Sequence, residues 1–365
     1  MQTIVDKIIQ LTIDIQQIPA PTFAEGKRAE FLRHLYLAEN LDNVGIDEVG
    51  NLYGRIKGSD PDAAPLVICA HLDTVFPAET DLRIKRNRHL VAGPGIGDNA
   101  LGTAGMIGLL WLLRDQKETP RGDIWLVATV GEEGLGNLYG MRKVVERFED
   151  APVAYMALEG MALGYIYHRA LGVRRYRVSA KTQGGHSWGH YGRPSAIHHL
   201  AALIDELTAI RLPRKPRTTL NIGVFSGGTS INTIAADASF ELDLRSESPD
   251  SLTELIDTVH QLISAANQPN ITVVAEQVGD RPAGRIPSSH PLVKLAEASL
   301  MHVGVEPILT IGSTDANIPL SRGYPTVCLG ISTGEGAHTE KEYIDTRYIE
   351  DGLRQLRYFV KNLWD

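Results

Sequence analysis

Four short, uninterrupted apolar runs constrain this chain more than any other feature: PLVICA (65–70), DIWLVATV (123–130), PVAYMAL (152–158) and PTVCLG (325–330). A strand with one wet face alternates apolar and polar residues. Runs without alternation predict strands buried on both faces, as in an α/β sheet covered by helices. Helical apolar spacing occurs between and before them, over 2–17, 100–114 and 137–148. Thr22-Phe-Ala-Glu25 has the form of a capping box that starts a further helix.

The middle of the chain reads differently. Residues 172–181 (GVRRYRVSAK) alternate, and strand-like segments at 218–225, 236–246 and 270–278 are interleaved with helical spacing at 195–209 and 250–265. That order, βαββαβ, is a compact α+β unit. At 365 residues the chain also exceeds the roughly 250–300 at which one core stops growing. The expected fold is α/β: a catalytic domain with a buried mixed or parallel sheet over 1–170 and 284–365. It is interrupted by an inserted α+β domain over 171–283.

The formal net charge of -8 argues against a nucleic-acid partner, which calls for a basic footprint. The one basic run, Arg211, Arg214, Lys215 and Arg217, is broken by Pro213 and Pro216 and reads as a solvated loop. No apolar run reaches the ~18 residues of a membrane span, so no membrane partner is expected. Asp6, Lys7 and Asp14 make the first segment an amphipathic helix rather than a signal peptide. Cys69 and Cys328 lie in apolar runs and read as buried, reduced thiols, as in a cytoplasmic protein.

An acidic residue or histidine follows each apolar run. His71 and Asp73 follow the first, Glu132 and Glu133 the second, and Glu159 the third; His338 lies beyond the fourth. Asp98 adds to them from the glycine-rich segment GPGIGDN. Ligands of open α/β sheets bind beyond the carboxyl ends of the strands, which makes one shared site of these residues. Histidine and carboxylate donors suit zinc, with cobalt or manganese as alternatives. Five such ligands exceed one tetrahedral ion with an open position, but serve two ions ~3.5–4 Å apart if one carboxylate bridges. In the extended segment His71-Leu-Asp73 both side chains share a face, so Asp73 can accept the second ring N–H of His71. In Glu132-Glu133 the side chains diverge, so one can hold metal while its neighbour stays free as a base. His198 and His199 fall in a polar helix and read as surface residues.

Two other functions fit parts of the sequence less well. Gly330-Ile-Ser332-Thr-Gly334 fits the nucleophile elbow of a serine hydrolase. The sequence continues as GEGAHTEKEY instead of entering a helix, and no Asp lies between Ser332 and His338. A non-catalytic binding protein would lack a ligand or the base, whereas every position is filled.

The segments HLDTVFP (71–77), GIGDN (95–99), GEEG (131–134), LEG (158–160), GGHS (184–187), INTI (231–234), DLRS (243–246) and GAHTEKEYI (336–344) occur in order. With them the chain resembles, over nearly its whole length, the co-catalytic metallopeptidases that include glutamate carboxypeptidase, aminoacylase, succinyl-diaminopimelate desuccinylase and peptidase T. The resemblance implies a hydrolase that uses metal-activated water on an amide bond of a small peptide or N-acyl amino acid. Carboxypeptidase or dipeptidase action is implied, with an aminotripeptidase or a deacylase as alternatives. His71 and Glu159 would hold one metal, Glu133 and His338 the other, with Asp98 bridging through a turn that has a cis Asp98–Asn99 peptide. Glu132 would be the general base. The inserted unit would be a lid and dimerisation domain of a homodimer, its His186 and Asn232 reaching the partner's site. Arg281, in GDRPAGR, would bind a substrate carboxylate, and Ser313 and Thr314, in GSTDANIP, are further substrate-binding candidates. That loop lacks the arginine that desuccinylases and acetylornithine deacetylases tend to carry there and looks closer to peptidase T, whereas Glu159 is the carboxypeptidase and deacylase variant. Asn99-Ala100 stands where many members have Met-Lys or Asp-Lys.

Overall fold

The computed structural model of the chain describes residues 3–365, so the helical start expected at residue 2 lies outside the described residues. The first helix, Ile4–Gln16, opens on a reciprocal cap: Thr3 Oγ1 accepts from Asp6 N, and Asp6 Oδ2 accepts from Thr3 N, each at 3.1 Å. Two orphan donors are thereby satisfied. The capping box expected at Thr22–Glu25 does not form. The helix Gly26–Ala38 has Glu25 at its N-cap position without a side-chain cap bond. Both side chains turn instead toward the ends of the central strands, where Thr22 Oγ1 donates to Asp73 Oδ2 and Glu25 Oε1 accepts from the buried Gly131 N.

The four apolar runs form the sheet's centre as β1 (Leu66–His71), β2 (Ile124–Thr129), β3 (Ala154–Glu159) and β4 (Thr326–Gly330). Their spatial order is β2-β1-β3-β4 and all are parallel. Leu52–Ile56 joins β2 antiparallel, with Asp42–Ile46 antiparallel beside it. On the far side Tyr165–Ala170 meets β4 antiparallel and Ile308–Gly312 runs parallel to it. The sheet is therefore mixed, with a parallel core. Every residue of β1 and β4 is buried, as expected of strands covered on both faces. Full burial of a Val, Leu or Ile side chain contributes about 1.5–3 kcal/mol.

Strand register sets where the chemistry lies. His71 pairs with Thr129, and Gly330 with Glu159, so the four central strands end level with one another. The helix Gly102–Asp115 covers the sheet, with Ala104, Ile107, Leu109 and Leu110 buried. Gly108 admits close neighbours: a Cβ there would lie 2.7 Å from Ile8 and from Leu353. Ile96–Asp115 is long and apolar enough to cross a membrane, but 83% of its most apolar window is buried inside the protein, as in a core helix.

The chain divides into two compact units. One runs from the first helix to Ala170 and from Arg285 to Asp365; the other is Leu171–Gly284. The second contains an antiparallel sheet ordered Thr218–Gly227, Asp237–Ser246, Gly172–Lys181, Thr272–Arg281. The helices Ala196–Thr208 and Pro249–Ala265 pack on it around a separate core that includes Val178, Leu203, Phe240 and Val259. The βαββαβ order expected from periodicity is the order found. His198 is exposed, but His199 is half-buried and its Nε2 lies 2.5 Å from the carbonyl of Ala266, so it joins the two helices rather than facing solvent.

Truncating Leu109 to Ala, deep under the sheet, is expected to lower unfolding free energy by about 2–5 kcal/mol in denaturant titration. Leu37→Ala, at a side chain 48% exposed, should stay within about 0.5 kcal/mol of the parent.

Candidate metal centre

The level strand ends bring the ligand-type residues together. His71 and Glu159 are the last residues of β1 and β3. Asp98 lies in the turn Ile96–Leu101, entered through Gly95 at φ +71°, and its peptide bond to Asn99 is cis. Glu133 directly precedes the turn Gly134–Gly136 that follows β2. His338 adopts φ +64°, in the left-handed region. One oxygen of Asp98, Oδ1, lies 3.1 Å from His71 Nε2, and the other, Oδ2, lies 3.2 Å from His338 Nε2. Glu133 Oε1 is 3.0 Å from His338 Nε2, and Glu159 Oε2 is 3.8 Å from His71 Nε2. His71, Asp98 and Glu133 offer ligand atoms that all lie within 4.8 Å of one another.

Charge in this cluster is unbalanced. Burial acts to lower the His71 pKa, but bonds to Asp73 and Asp98 and the nearby Glu159 and Glu132 carry it well above the ordinary histidine value. His338 is pushed up to about 10 by its contacts with Asp98 and Glu133. Burial acts to raise Asp98, yet the two imidazoles hold it well below the usual carboxylate range. Burial forces Glu159 well above that range. Two imidazoles face the carboxylates of Asp98, Glu133 and Glu159, a nitrogen and oxygen donor set that fits divalent cations.

Buried acceptors aim the candidate ligands. Asp73 is fully buried, and its Oδ1 accepts from Glu132 N at 3.0 Å. Its Oδ2 accepts from Glu133 N at 2.9 Å and from Thr22 Oγ1 at 2.8 Å. The expected carboxylate–histidine pair is present, with the His71 ring nitrogen shared between the carboxylate and the carbonyl of Asp73. His71 Nδ1 lies 3.1 Å from the carbonyl oxygen of Asp73 and 3.5 Å from its carboxylate, which is turned to the backbone of Glu132 and Glu133. Donation from Nδ1 leaves the Nε2 lone pair facing Asp98 and Glu159.

Sequence reasoning missed Glu342. It is fully buried, accepting from Gly97 N at 2.7 Å and Asp98 N at 2.8 Å through Oε1, and from Gly95 N at 3.0 Å through Oε2. Burial pushes its pKa up to about 7 against those bonds. A lone Glu in a polar loop carries no local sign of such a role. Asn99 fastens the same turn from behind, its Nδ2 donating to Leu158 O at 2.7 Å. Asp315 was missed too; it is buried and accepts from Thr129 Oγ1 at 2.5 Å, at the end of β2.

The remaining expected residues are divided between the two units. Glu132 is buried beside Glu133. In the second unit His186 pairs with Thr233, next to Asn232, whose carbonyl accepts from Ser187 N at 2.9 Å. Arg281 ends the strand Thr272–Arg281 and is buried. Ser313 and Thr314 follow the strand Ile308–Gly312, and Thr314 closes its own loop, accepting from Ala316 N and donating its N–H to Asn317 Oδ1. Ser332 is fully buried and donates to Asp345 O at 2.5 Å, which makes it a structural donor and not an exposed nucleophile.

A parallel-centred sheet with carboxylates and imidazoles gathered at its strand ends is the framework of a metal-dependent hydrolase. The chain belongs to the peptidase family M20/M25/M40, whose model matches residues 67–362, and it is an enzyme that hydrolyses amide bonds. It is 27% identical to the acetylornithine deacetylase of Erwinia tasmaniensis over 318 residues, 82% of this chain and 80% of that protein. Its fold is similar to that of a tripeptidase from Staphylococcus aureus, with a TM-score of 0.82 and 24% identity over 98% of each chain. It is also similar to that of a dinuclear metal binding peptidase of the M20 family from Bacillus subtilis, with a TM-score of 0.72 and 15% identity over 99% of this chain and 98% of that one.

Removing the Glu342 side chain strands three buried N–H groups. Glu342→Ala should destabilise the fold by roughly 3 kcal/mol or more, at about 1–3 kcal/mol for each stranded donor. Glu342→Gln, which keeps one acceptor oxygen, should lose less; thermal melts of the two variants make the comparison.

Proposed function

We propose that the enzyme binds two divalent ions, zinc by donor type, and cleaves an amide bond in a small peptide or N-acyl amino acid. His71 and Glu159 hold one ion, Glu133 and His338 the other, and Asp98 bridges. One observation carries this reading: the two oxygens of Asp98 face one imidazole each, at 3.1 Å and 3.2 Å, as a carboxylate shared between two ions requires. When bound, the ions supply Lewis acidity for the substrate carbonyl and acidify water. Glu132 takes the proton of the attacking water and returns it to the leaving nitrogen. Asp73 holds the Glu132 and Glu133 amides so that one carboxylate faces the ions and its neighbour stays available as base.

The acyl side of the substrate is left to two arms of the same test. A dipeptide or tripeptide substrate suits an exopeptidase of carboxypeptidase, dipeptidase or aminotripeptidase type. An N-acyl amino acid suits a deacylase, in keeping with the deacetylase relative. Arg281 and Asn232 are assigned to the substrate carboxylate, and Ser313 and Thr314 to the same ligand. The second unit is proposed to dimerise, supported by its exposed strand Thr218–Gly227, where Val224 and Phe225 face solvent. His186 then serves the partner's site. Its Nδ1 accepts from Trp188 N at 3.2 Å and Gly189 N at 3.3 Å, which puts the proton on Nε2, where it can donate to a developing oxyanion. A cytoplasmic location agrees with two buried free thiols, Cys69 and Cys328.

Hydrolysis of a panel of dipeptides, tripeptides and N-acyl amino acids should stop on chelation and return with zinc. Activity on none of them by metal-loaded protein would end this reading. Glu132→Gln is expected to lower kcat by ~10²–10⁴ with normal metal content, the usual worth of general acid–base catalysis. His338→Ala should lose metal. An inactive but metal-depleted Glu132→Gln would exchange the roles of Glu132 and Glu133. For the shared site, His186→Ala and Glu132→Gln proteins, each inactive, should recover partial activity when their subunits exchange. Proven exchange without recovery removes His186 from the partner's chemistry.

A further inference from the structure

Glu25 stands where a helix cap was expected, yet it caps nothing. It is 4% exposed, and burial raises its pKa, opposed by backbone bonds and helped by the nearby charge of Asp73. A buried carboxyl is costly and calls for a reason. Its Oε1 accepts from Phe23 N and from Gly131 N, each at 3.0 Å. Gly131 immediately precedes Glu132. Three successive amides, those of Gly131, Glu132 and Glu133, thus donate to carboxylates from two distant segments: Glu25 for the first and Asp73 for the other two.

Gly131 has no side chain to hold it; its carbonyl accepts from Leu138 N at 2.9 Å, and its N–H goes to Glu25. It adopts φ +63°, and a Cβ there would lie 1.9 Å from the ring of Tyr139. The anchoring segment is itself fixed. Thr22 donates to Asp73, and Phe23 stacks on Tyr139 with ring centroids 5.8 Å apart. The fully buried Arg28 donates to Leu72 O at 2.6 Å and to Ile18 O at 2.8 Å, joining the helix Gly26–Ala38 to the residue that follows β1.

We infer that Glu25 is a positioning residue for the reaction: by holding the Gly131 amide it sets the backbone from which Glu132 reaches its proton. The inference rests on the proposed base role of Glu132. Asp73 holds the peptide planes on either side of Glu132, through the N–H groups of Glu132 and Glu133, and Glu25 holds the plane before them, so the flexible Gly131 enters the segment from a fixed position and the Cα–Cβ direction of Glu132 is set. Proton transfer tolerates little error in that direction, and a misplacement near 1 Å can cost on the order of 10²-fold.

The test compares Glu25→Ala, Glu25→Gln, Glu132→Gln and the double variant Glu25→Ala/Glu132→Gln in the metal-loaded enzyme. Glu25→Ala is expected to lower kcat by about 10- to 100-fold, with KM within about twofold and metal content unchanged. Glu25→Gln, whose amide oxygen can accept the same two N–H groups, should return kcat to within about threefold of the parent. The double variant should be no slower than Glu132→Gln alone, because Glu25 acts through Glu132. If Glu25→Ala does not fold, Glu25→Asp, which withdraws the acceptor by one methylene, takes its place. Parental kcat in Glu25→Ala, or in Glu25→Asp where that takes its place, overturns the inference, as does a double variant slower than Glu132→Gln, or a loss in kcat that tracks a loss of metal. A fully active Glu132→Gln would instead overturn the base reading beneath it.

Discussion

The register of four parallel strands is the constraint on which the site depends. Backbone hydrogen bonds pair His71 with Thr129 and Glu159 with Gly330, so strands from distant parts of the chain stop at one level. Parallel strands point their carboxyl ends the same way, and whatever follows them must share one edge of the sheet. The apolar runs hold that register because they are buried on both faces, where a slip would break a continuous core. Chemistry is thus assembled by packing that has no chemical role of its own.

The loops beyond those ends are organised by buried carboxylates acting on backbone amides. Asp73 holds two successive N–H groups, Glu25 the one before them, and Glu342 three around the Asp98 turn. A buried carboxylate is destabilising unless its oxygens are used, and several amide donors at once give it strong, directional partners. The same bonds make irregular backbone rigid without a side-chain core beneath it. The candidate ligands Asp98 and Glu133 therefore stand on segments whose backbone amides are already held. Their crowded charge is then the part of the site left for cations to balance.

Much of this was legible in the chain. Lack of alternation in the runs at 65–70, 123–130, 152–158 and 325–330 identified doubly covered strands, because burial on both faces leaves no position for a polar residue. The residues after those runs were ligand types, so a shared site for His71, Glu132, Glu133, Glu159 and His338 could be anticipated from the topology of an α/β sheet, with Asp98 added from its glycine-rich segment and the choice of Glu133 over Glu132 left to the family resemblance. Thr22 and Glu25 were misread. Their spacing is that of a capping box, and local sequence cannot say that Asp73 and Gly131 lie closer than the helix amides. Glu342 and Asp315 were invisible for a similar reason, since an acidic residue in a polar loop looks solvated until tertiary packing buries it.

By itself the sequence determined the periodicities, and with them the α/β character, the α+β order of residues 172–281 and the set of side chains available for chemistry. These are local properties, decided by which positions can be dry. Only the tertiary structure decided which carboxylate serves which group. Asp73 gives its oxygens to the Glu132 and Glu133 amides while its carbonyl faces His71, and Ser332 points to Asp345 O inside the core. Hydrogen bonds between segments far apart in the chain depend on distances that exist only after the strands have aligned. No pattern within one segment encodes them.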